Sequence, residues 1–279
     1  MSLMPSFLQR LEDGWHVAVR HLPLAVIPLV VALFDTDKIR AIAAFDGTQF
    51  GFRLGLPTEI VDVWQFVSVP NDGVHVELGT PGVEPPLAFA LVPVWVAVKA
   101  GLMAGYFGSI RDVLGLGTYD FAANVRSYVV PFAVYLLAPY VVLVPVAAVV
   151  LRGGTSAMVP LVIVLLLVFT VLAYLLWATP YLVVLRDTGL LAAAKRSYAL
   201  ATGDARYVRF SLYFAVLVLV TSAVATGVVV NLGLAGVVIG VVGFAPFGLA
   251  CNVMAMRFVA DVDPQSPSFD PFEVAESPG

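Results

Sequence analysis

Lys99 is the one ionisable side chain well inside a long apolar stretch of this chain, two residues past the middle of Leu87–Phe107. A charge there marks a functional site by default, because a central lysine costs about 2.5–3.5 kcal/mol on insertion scales. Two readings are open. In one, the ammonium lines a cavity and holds an anion or a lipid headgroup. In the other, the flexible stem carries the charge past Met103 and Tyr106 to the nearer interface. Helical side chains lean toward their own N-terminus, which here points away from that interface, so the second reading works against the natural tilt.

The other chemistry-bearing residues assemble less. His16 and His21 are five apart, about 140° around a helix, and do not converge on one metal; His75 lies far along the chain. Ser109 has no membrane histidine to activate it. Gly115-Leu-Gly117-Thr-Tyr119-Asp120 has the outline of an intramembrane aspartyl protease motif, but that chemistry needs two facing carboxylates and no apolar run contains one. No phosphate-binding glycine loop is present. The single Cys251 excludes an intrachain disulfide and any multi-cysteine metal site, and reads as a small packing residue. The expectation is a protein that is not an enzyme and uses no metal or cofactor.

The elements that must position Lys99 are six apolar runs: Leu22–Phe34, Leu87–Phe107, Tyr128–Leu151, Val159–Leu185, Tyr207–Asn231 and Gly233–Arg257. About 20 apolar residues cross a bilayer core. Five runs reach that length, and the first does so by drawing on Trp15–His21. Of the 279 residues 60% are hydrophobic and only 12% charged, about half the charge of a soluble domain. In lipid the backbone must bond to itself, and continuous Val/Leu/Ala runs without two-residue alternation specify helices rather than a barrel. The first run is followed by Asp35-Thr36-Asp37-Lys38 with no small-x-small pattern, so it reads as an uncleaved span.

Basic residues flanking the runs orient them. With the N-terminus in the cytoplasm, Arg10, Arg20, Arg111, Arg126, Arg186, Lys195, Arg196, Arg206, Arg209 and Arg257 fall inside, and only Lys38, Arg40, Arg53 and Arg152 outside. Six spans then return the C-terminus to the same side, giving a multi-pass cell-membrane protein with both termini cytoplasmic. Acid exceeds base, nineteen to fifteen, and twelve of the fifteen bases are arginine. A GC-rich genome or a high-salt cytoplasm would give that balance; it leans toward the second, an archaeal-like origin, and nothing in it points to a nucleic-acid partner.

The fold class expected is an all-α polytopic membrane protein of six transmembrane helices, with interfacial amphipathic helices and a small extracytoplasmic loop containing a β-hairpin. Residues 1–260 form the membrane domain, including the loop 35–86, and the acidic, proline-bearing 261–279 a disordered cytoplasmic tail. In the loop, Gln49–Leu56 alternates, Val61–Val69 continues as a strand, and Pro70-Asn71-Asp72-Gly73 turns into Val74–Leu78; a short helix over Thr58–Phe66 is the competing reading. Interfacial helices are expected at Ser6–Trp15, which opens with the capping-box pattern Ser6-Phe7-Leu8-Gln9, at Tyr119–Arg126, and at Thr188–Thr202. In the last, Leu191, Ala194 and Tyr198 share a face. Ala123–Tyr128 and Ala193–Tyr198 share Ala, Arg, Ser and Tyr at matching positions, which suggests an interfacial helix and two-span hairpin used three times.

Asn231, Asn252, Thr179, Thr221, Ser222 and Thr226 lie in or near spans and read as hydrogen-bonding glue between helices. Gly101-x-x-x-Gly105 and Gly236-x-x-x-Gly240 mark faces for close helix approach, within the bundle or in a dimer. Prolines such as 23, 93, 180 and 246 suggest kinked spans.

The stretch from Thr188 to Phe210, TGLLAAAKRSYALATGDARYVRF, resembles the signature of six-span membrane proteins that include the membrane domain attached to some glycerophosphodiester phosphodiesterases and stand-alone archaeal and bacterial relatives of unknown function. The matching positions are Ala194, Lys195 or Arg196, Ser197, Tyr198 and Gly203. The resemblance implies the six-span fold and a membrane location. It brings no catalytic residue, because the phosphodiesterase chemistry belongs to a separate soluble domain that these residues do not contain. Lys99, Lys195, Arg196, Ser197 and Tyr198 are therefore the candidate lipid- or ligand-contacting residues. The function expected is a lipid- or partner-binding membrane scaffold, whose partners are membrane lipids and other membrane proteins. The alternative is a transporter or channel for a small neutral or anionic solute with its cavity at Lys99.

Overall fold

The computed structural model describes residues 5–57, 59–70, 87–153 and 158–269, with the side chains of all of these except 87–89 and 142–162. Ten α-helices occur among them: α1 (Phe7–Arg20), α2 (Val26–Phe34), α3 (Thr36–Ala43), α4 (Leu87–Leu116), α5 (Phe121–Gly153), α6 (Met158–Leu176), α7 (Thr179–Leu185), α8 (Leu190–Gly203), α9 (Ala205–Asn231) and α10 (Gly233–Val262). No strand occurs among the described residues. Five helical stretches are long and apolar enough to cross a membrane, or six if the bent pair formed by Phe7–Arg20 and Leu22–Phe34 counts as one span. Bulky apolar side chains stand exposed along the outer faces of α5, α6, α9 and α10, including Val134, Ile163, Leu167, Val220 and Val238. A water-soluble protein rarely leaves so much contiguous apolar surface uncovered, and a multi-pass membrane protein requires it.

Local sequence accounts for the helix ends. At α1, Ser6 accepts from the Gln9 amide while the Gln9 side chain accepts from the Ser6 amide, completing the capping box. The helix then runs five residues beyond the expected Trp15. The bend follows at His21, where Pro23 opens a 3₁₀ turn (Leu22–Ala25) and the axes part by 99°. Trp177 and Ala178 break the fourth apolar run, and Pro180 sits at the start of α7. Asp120 caps α5 by accepting from the Ala123 amide, so the aspartate of the protease-like outline serves as a helix cap.

Several expectations are corrected. Tyr119–Arg126 is not a separate helix, since from Phe121 it is the first turns of α5. The repeat therefore breaks down in detail. Ser127 and Arg126 are exposed in a long helix, whereas Ser197 is buried and Arg196 is ion-paired in a separate short one. Helix α8 starts at Leu190, two residues after the expected Thr188, with Gly189 as its N-cap. Leu191, Ala194 and Tyr198 do share the outward face of α8, because the smaller Ala193, Ser197 and Ala201 let the helix approach its neighbours on the opposite face. The first residues read as a loose tail are ordered: α10 continues through Asp261 and Val262, and Asp263 is buried. Residues 270–279 lie outside the described ones.

The glycine faces are used within the bundle. A Cβ on Gly105 would overlap the Phe121 ring of α5, and one on Gly240 would overlap Val229 of α9. Close approach of α4 to α5 and of α9 to α10 thus requires them.

Candidate functional site

The segment Gln49–Val69 does not lie on top of the bundle. It threads into it. Val61, Val63, Trp64, Phe66 and Val67 are each 3% exposed or less. Depth follows from the partners along α9 and α10. The Gln49 amide donates to Asn231 Oδ1 (2.7 Å) at the very end of α9. The Arg53 amide donates to Ser222 Oγ (2.9 Å), and the Val61 amide to Asn252 Oδ1 (2.9 Å). Asn252 is nineteen residues beyond Gly233, about 28 Å along a helix of about 45 Å at 1.5 Å per residue. The return limb climbs through Phe66, which packs on Phe244 and Phe247, to Ser68, whose amide donates to Thr226 Oγ1 (2.9 Å). The segment therefore enters from the α9–α10 turn and passes the midpoint of α10 before turning back.

Irregular backbone at such depth requires every polar group to find a protein partner. Here α9 and α10 supply them as rungs from Asn231, Thr226, Ser222 and Asn252. The two limbs are tied to each other by side chains in place of a strand ladder. Gln49 Nε2 donates to the Ser68 carbonyl (3.1 Å), Arg53 Nη1 to Val67 (3.0 Å) and Gln65 Nε2 to Leu56 (3.2 Å). Val63–Gln65 forms one 3₁₀ turn, inside the helix that was the competing reading of this loop. The β-hairpin has no strand in Gln49–Leu56 or Val61–Val69, and Val74–Leu78 lies outside the described residues. Gly248 makes the insertion possible, since a Cβ there would overlap the Val61 carbonyl oxygen. Of the polar residues expected to join helix to helix, Asn231, Ser222 and Thr226 hold this segment instead, and Asn252 does both.

At its apex the segment neutralises Lys99. The ammonium lies 2.7 Å from Glu59 Oε2, with the two side chains about a quarter and a third exposed. Lys99 is thus neither a solitary cation in a cavity nor a lysine reaching the interface, and a carboxylate absent from every apolar run is delivered by the loop. Next to it Asn252, fully buried, donates to the Glu59 carbonyl (2.9 Å) and to Tyr181 Oη (2.8 Å), and accepts from Tyr106 Oη (3.1 Å). Asp62 accepts from the Trp64 amide (2.9 Å), and its carboxylate lies within the fields of Lys38, Asp35 and Lys99. Trp64 anchors the whole apex by donating from Nε1 to the Ala32 carbonyl (2.8 Å). No group of three His, Cys, Asp or Glu side chains converges as a metal site among the described residues.

The second set of candidates lies at the opposite end of the bundle, where α4, α7, α8 and α9 and the C-terminal end of α10 meet. Asp263 is buried there and accepts from Arg186 Nε (2.8 Å), Arg196 Nε (2.7 Å) and Ser266 Oγ (2.6 Å). Burial acts to raise its pKa. The hydrogen bonds from Ser266 and Arg196 and the charges of both arginines outweigh that and hold it below the ordinary carboxylate value. Arg111 donates to Tyr128 Oη (2.6 Å) and to the Val184 carbonyl (3.2 Å), tying α4 to α5 and α7. Ser197 is wholly buried, donating to the Leu175 carbonyl (2.8 Å). Of the four α8 candidates, then, Arg196 and Ser197 hold the fold together. Lys195 and Tyr198 are the two that face outward. Compared with known proteins, the chain matches no family model, no curated protein and no solved structure.

Proposed function

We propose that this protein is a non-enzymatic multi-pass membrane scaffold that binds anionic lipid at the end of the bundle where α8 and α9 begin. The observation that carries the reading is a surplus of exposed cations there. Arg126, Lys195 and Arg209 are exposed and make no hydrogen bond or salt bridge among the described residues, while Leu191 and Tyr198 project beside Lys195. Basic and aromatic side chains on short helices suit an anionic headgroup layer, where each cation contributes about 1 kcal/mol of attraction. The reading takes this end as cytoplasmic and α8 as an interfacial helix. The bent α1–α2 pair is taken as the sixth crossing, since Arg10 lies beside Asp261 at one end of the bundle and Gln49 beside Asn231 at the other. It also keeps the kinship with the six-span proteins described above, on the Thr188–Phe210 signature.

Purification from native membranes with mass spectrometry of bound lipids and proteins tests the reading. Anionic lipids should be enriched over the bulk membrane; recovery of neither a selected lipid nor a partner protein would remove its support. Orientation has a separate test. Thr48 is exposed, so Thr48→Cys with Cys251 replaced should react with an impermeant thiol reagent in intact cells, and protection would reverse the topology.

Irregular backbone and an ion pair at mid-bundle favour a second reading, passage of a small solute past Lys99, as discontinuous segments form transport sites elsewhere. The Glu59 carboxylate already occupies that ammonium, which weakens an anion path. Proteoliposomes that release no chloride or phosphate faster than empty vesicles would dispose of it for those ions.

A further inference from the structure

We infer that a cleft between the N-termini of α1 and α9 is a binding site for a phosphate-bearing anion, either a lipid headgroup or free phosphate. The cleft has a volume of about 270 Å³. That is just below the roughly 300 Å³ at which small-molecule pockets begin, the size for a headgroup rather than a whole lipid. Three guanidinium groups line it: Arg10 from α1 and Arg206 and Arg209 from the first turns of α9. The inference extends the lipid-binding reading by naming its site, and it rests on that reading only for the lipid source of the phosphate.

Charge and geometry single out Arg209. Arg10 is 5% exposed and paired with Asp261, and Arg206 is locked onto the helix-capping Asp204, with Nη2 2.6 Å from Oδ2. These two carboxylates are bonded to two of the three cations, and Asp204 also lies within the field of Arg209. Arg209 remains exposed, with no hydrogen bond or salt bridge among the described residues. A guanidinium fork matches phosphate oxygens in a bidentate fashion, and this one has its donors open.

The N-terminus of α1 adds to the same field. The α1 capping box satisfies the amides of Ser6 and Gln9, which leaves those of Phe7 and Leu8 among the orphan donors of a helix start. Partial positive charge at the start of α1, whose cap Ser6 is neutral, favours an anion in the cleft, whereas at α9 the capping Asp204 already answers it. The remaining wall is aromatic: Phe7 packs on Phe210 at 5.5 Å and on Tyr213 at 5.8 Å between ring centroids. It offers an apolar surface to the glycerol and first methylenes of a lipid, but nothing to a bare ion. The arginines also balance Asp204 and Asp261, which a purely structural role would explain for two of them. Arg209 shares the field of Asp204 without bonding to it, so that role leaves its guanidinium donors, and the cleft, unused.

The test uses the full chain in a neutral detergent, with native mass spectrometry or calorimetry to measure binding of dioctanoyl phosphatidic acid, inorganic phosphate and dioctanoylglycerol. Phosphatidic acid should bind, and Arg209→Gln should weaken it about tenfold at an unchanged melting temperature. Arg209→Lys, which keeps the charge and loses the fork, should fall between. Competition by inorganic phosphate at a similar concentration identifies free phosphate as the ligand. Failure of phosphate to compete, with phosphatidic acid still bound, identifies the lipid headgroup. Equal binding of dioctanoylglycerol, no binding of either phosphate compound, or an Arg209→Gln protein that binds as the parent does would overturn the site. Native membrane lipids that still co-purify in that case would leave the broader scaffold reading standing.

Discussion

Replacing Asn252 with leucine should release the inserted segment from the bundle without unfolding the helices around it. The side chain serves two backbone groups of the segment, the Val61 amide and the Glu59 carbonyl, both at 2.9 Å, and two tyrosine hydroxyls. The hydroxyls of Tyr106 and Tyr181 converge on this one residue, and each O–H can rotate toward another acceptor. The backbone groups have no such recourse. A buried polar group left unpaired costs about 1–3 kcal/mol, so the two together cost about 2–6 kcal/mol. That is a large fraction of the roughly 5–15 kcal/mol that stabilises a whole domain. The segment is attached by rungs rather than by continuous secondary structure, so it gives way first. Val67 is fully buried at its return limb. A Val67→Cys reporter, with Cys251 replaced, should be labelled by a small thiol reagent at least about thirtyfold faster in the Asn252→Leu background, the equivalent of 2 kcal/mol. An Ala104→Cys reporter, buried on α4, should stay protected in both. Equal labelling of Val67→Cys in the two backgrounds would refute the rung argument. Simultaneous exposure of Ala104→Cys would show instead that the bundle and the segment open as one unit.

Three further outcomes follow from the same contacts. Lys99→Met and Glu59→Gln should each destabilise the protein by about 1–3 kcal/mol, between the values for exposed and buried pairs, and the double variant by at least about 1 kcal/mol less than their sum; additive losses in denaturant unfolding would mean the two charges do not interact. Gly248→Ala forces the Val61 carbonyl away and should cost about 1–3 kcal/mol by overpacking, with Val67→Cys labelling accelerated; an unchanged melting temperature and labelling rate would place the segment elsewhere. Asp263 has a folded pKa below its unfolded value, so it contributes stability that is present above the ordinary carboxylate pKa of about 3.9 and lost as the pH falls through the folded value. Melting temperatures measured from pH 7 down to pH 3 should therefore fall less steeply at the acid end for Asp263→Asn than for the parent, from a lower starting value, and parallel curves would count against the clasp.

Much of the architecture could be read along the chain because hydropathy, capping and proline breaks are local. Ser6 and Gln9 announce the start of α1, Pro180 the break before α7, and the apolar runs the long helices, since each depends on residues within a turn or two of one another. The candidate site was legible only in half. Lys99 stood out because a charge in an apolar run is costly wherever it sits. Its counter-ion did not, because Glu59 lies in a segment whose composition is that of an ordinary polar loop.

Sequence alone determined that this chain forms long apolar helices and that one lysine stands among them as a charge to be accounted for. Tertiary structure decided which loop enters the bundle and which carboxylate meets the lysine. It also turned Asn231, Thr226 and Ser222 toward the backbone of the segment, and Asn252 toward both that backbone and the tyrosines of α4 and α7. The physical reason is range. The bonds that hold the segment join residues 158 to 193 positions apart, and a polar side chain on a helix has the same local signature whichever partner the fold brings to it.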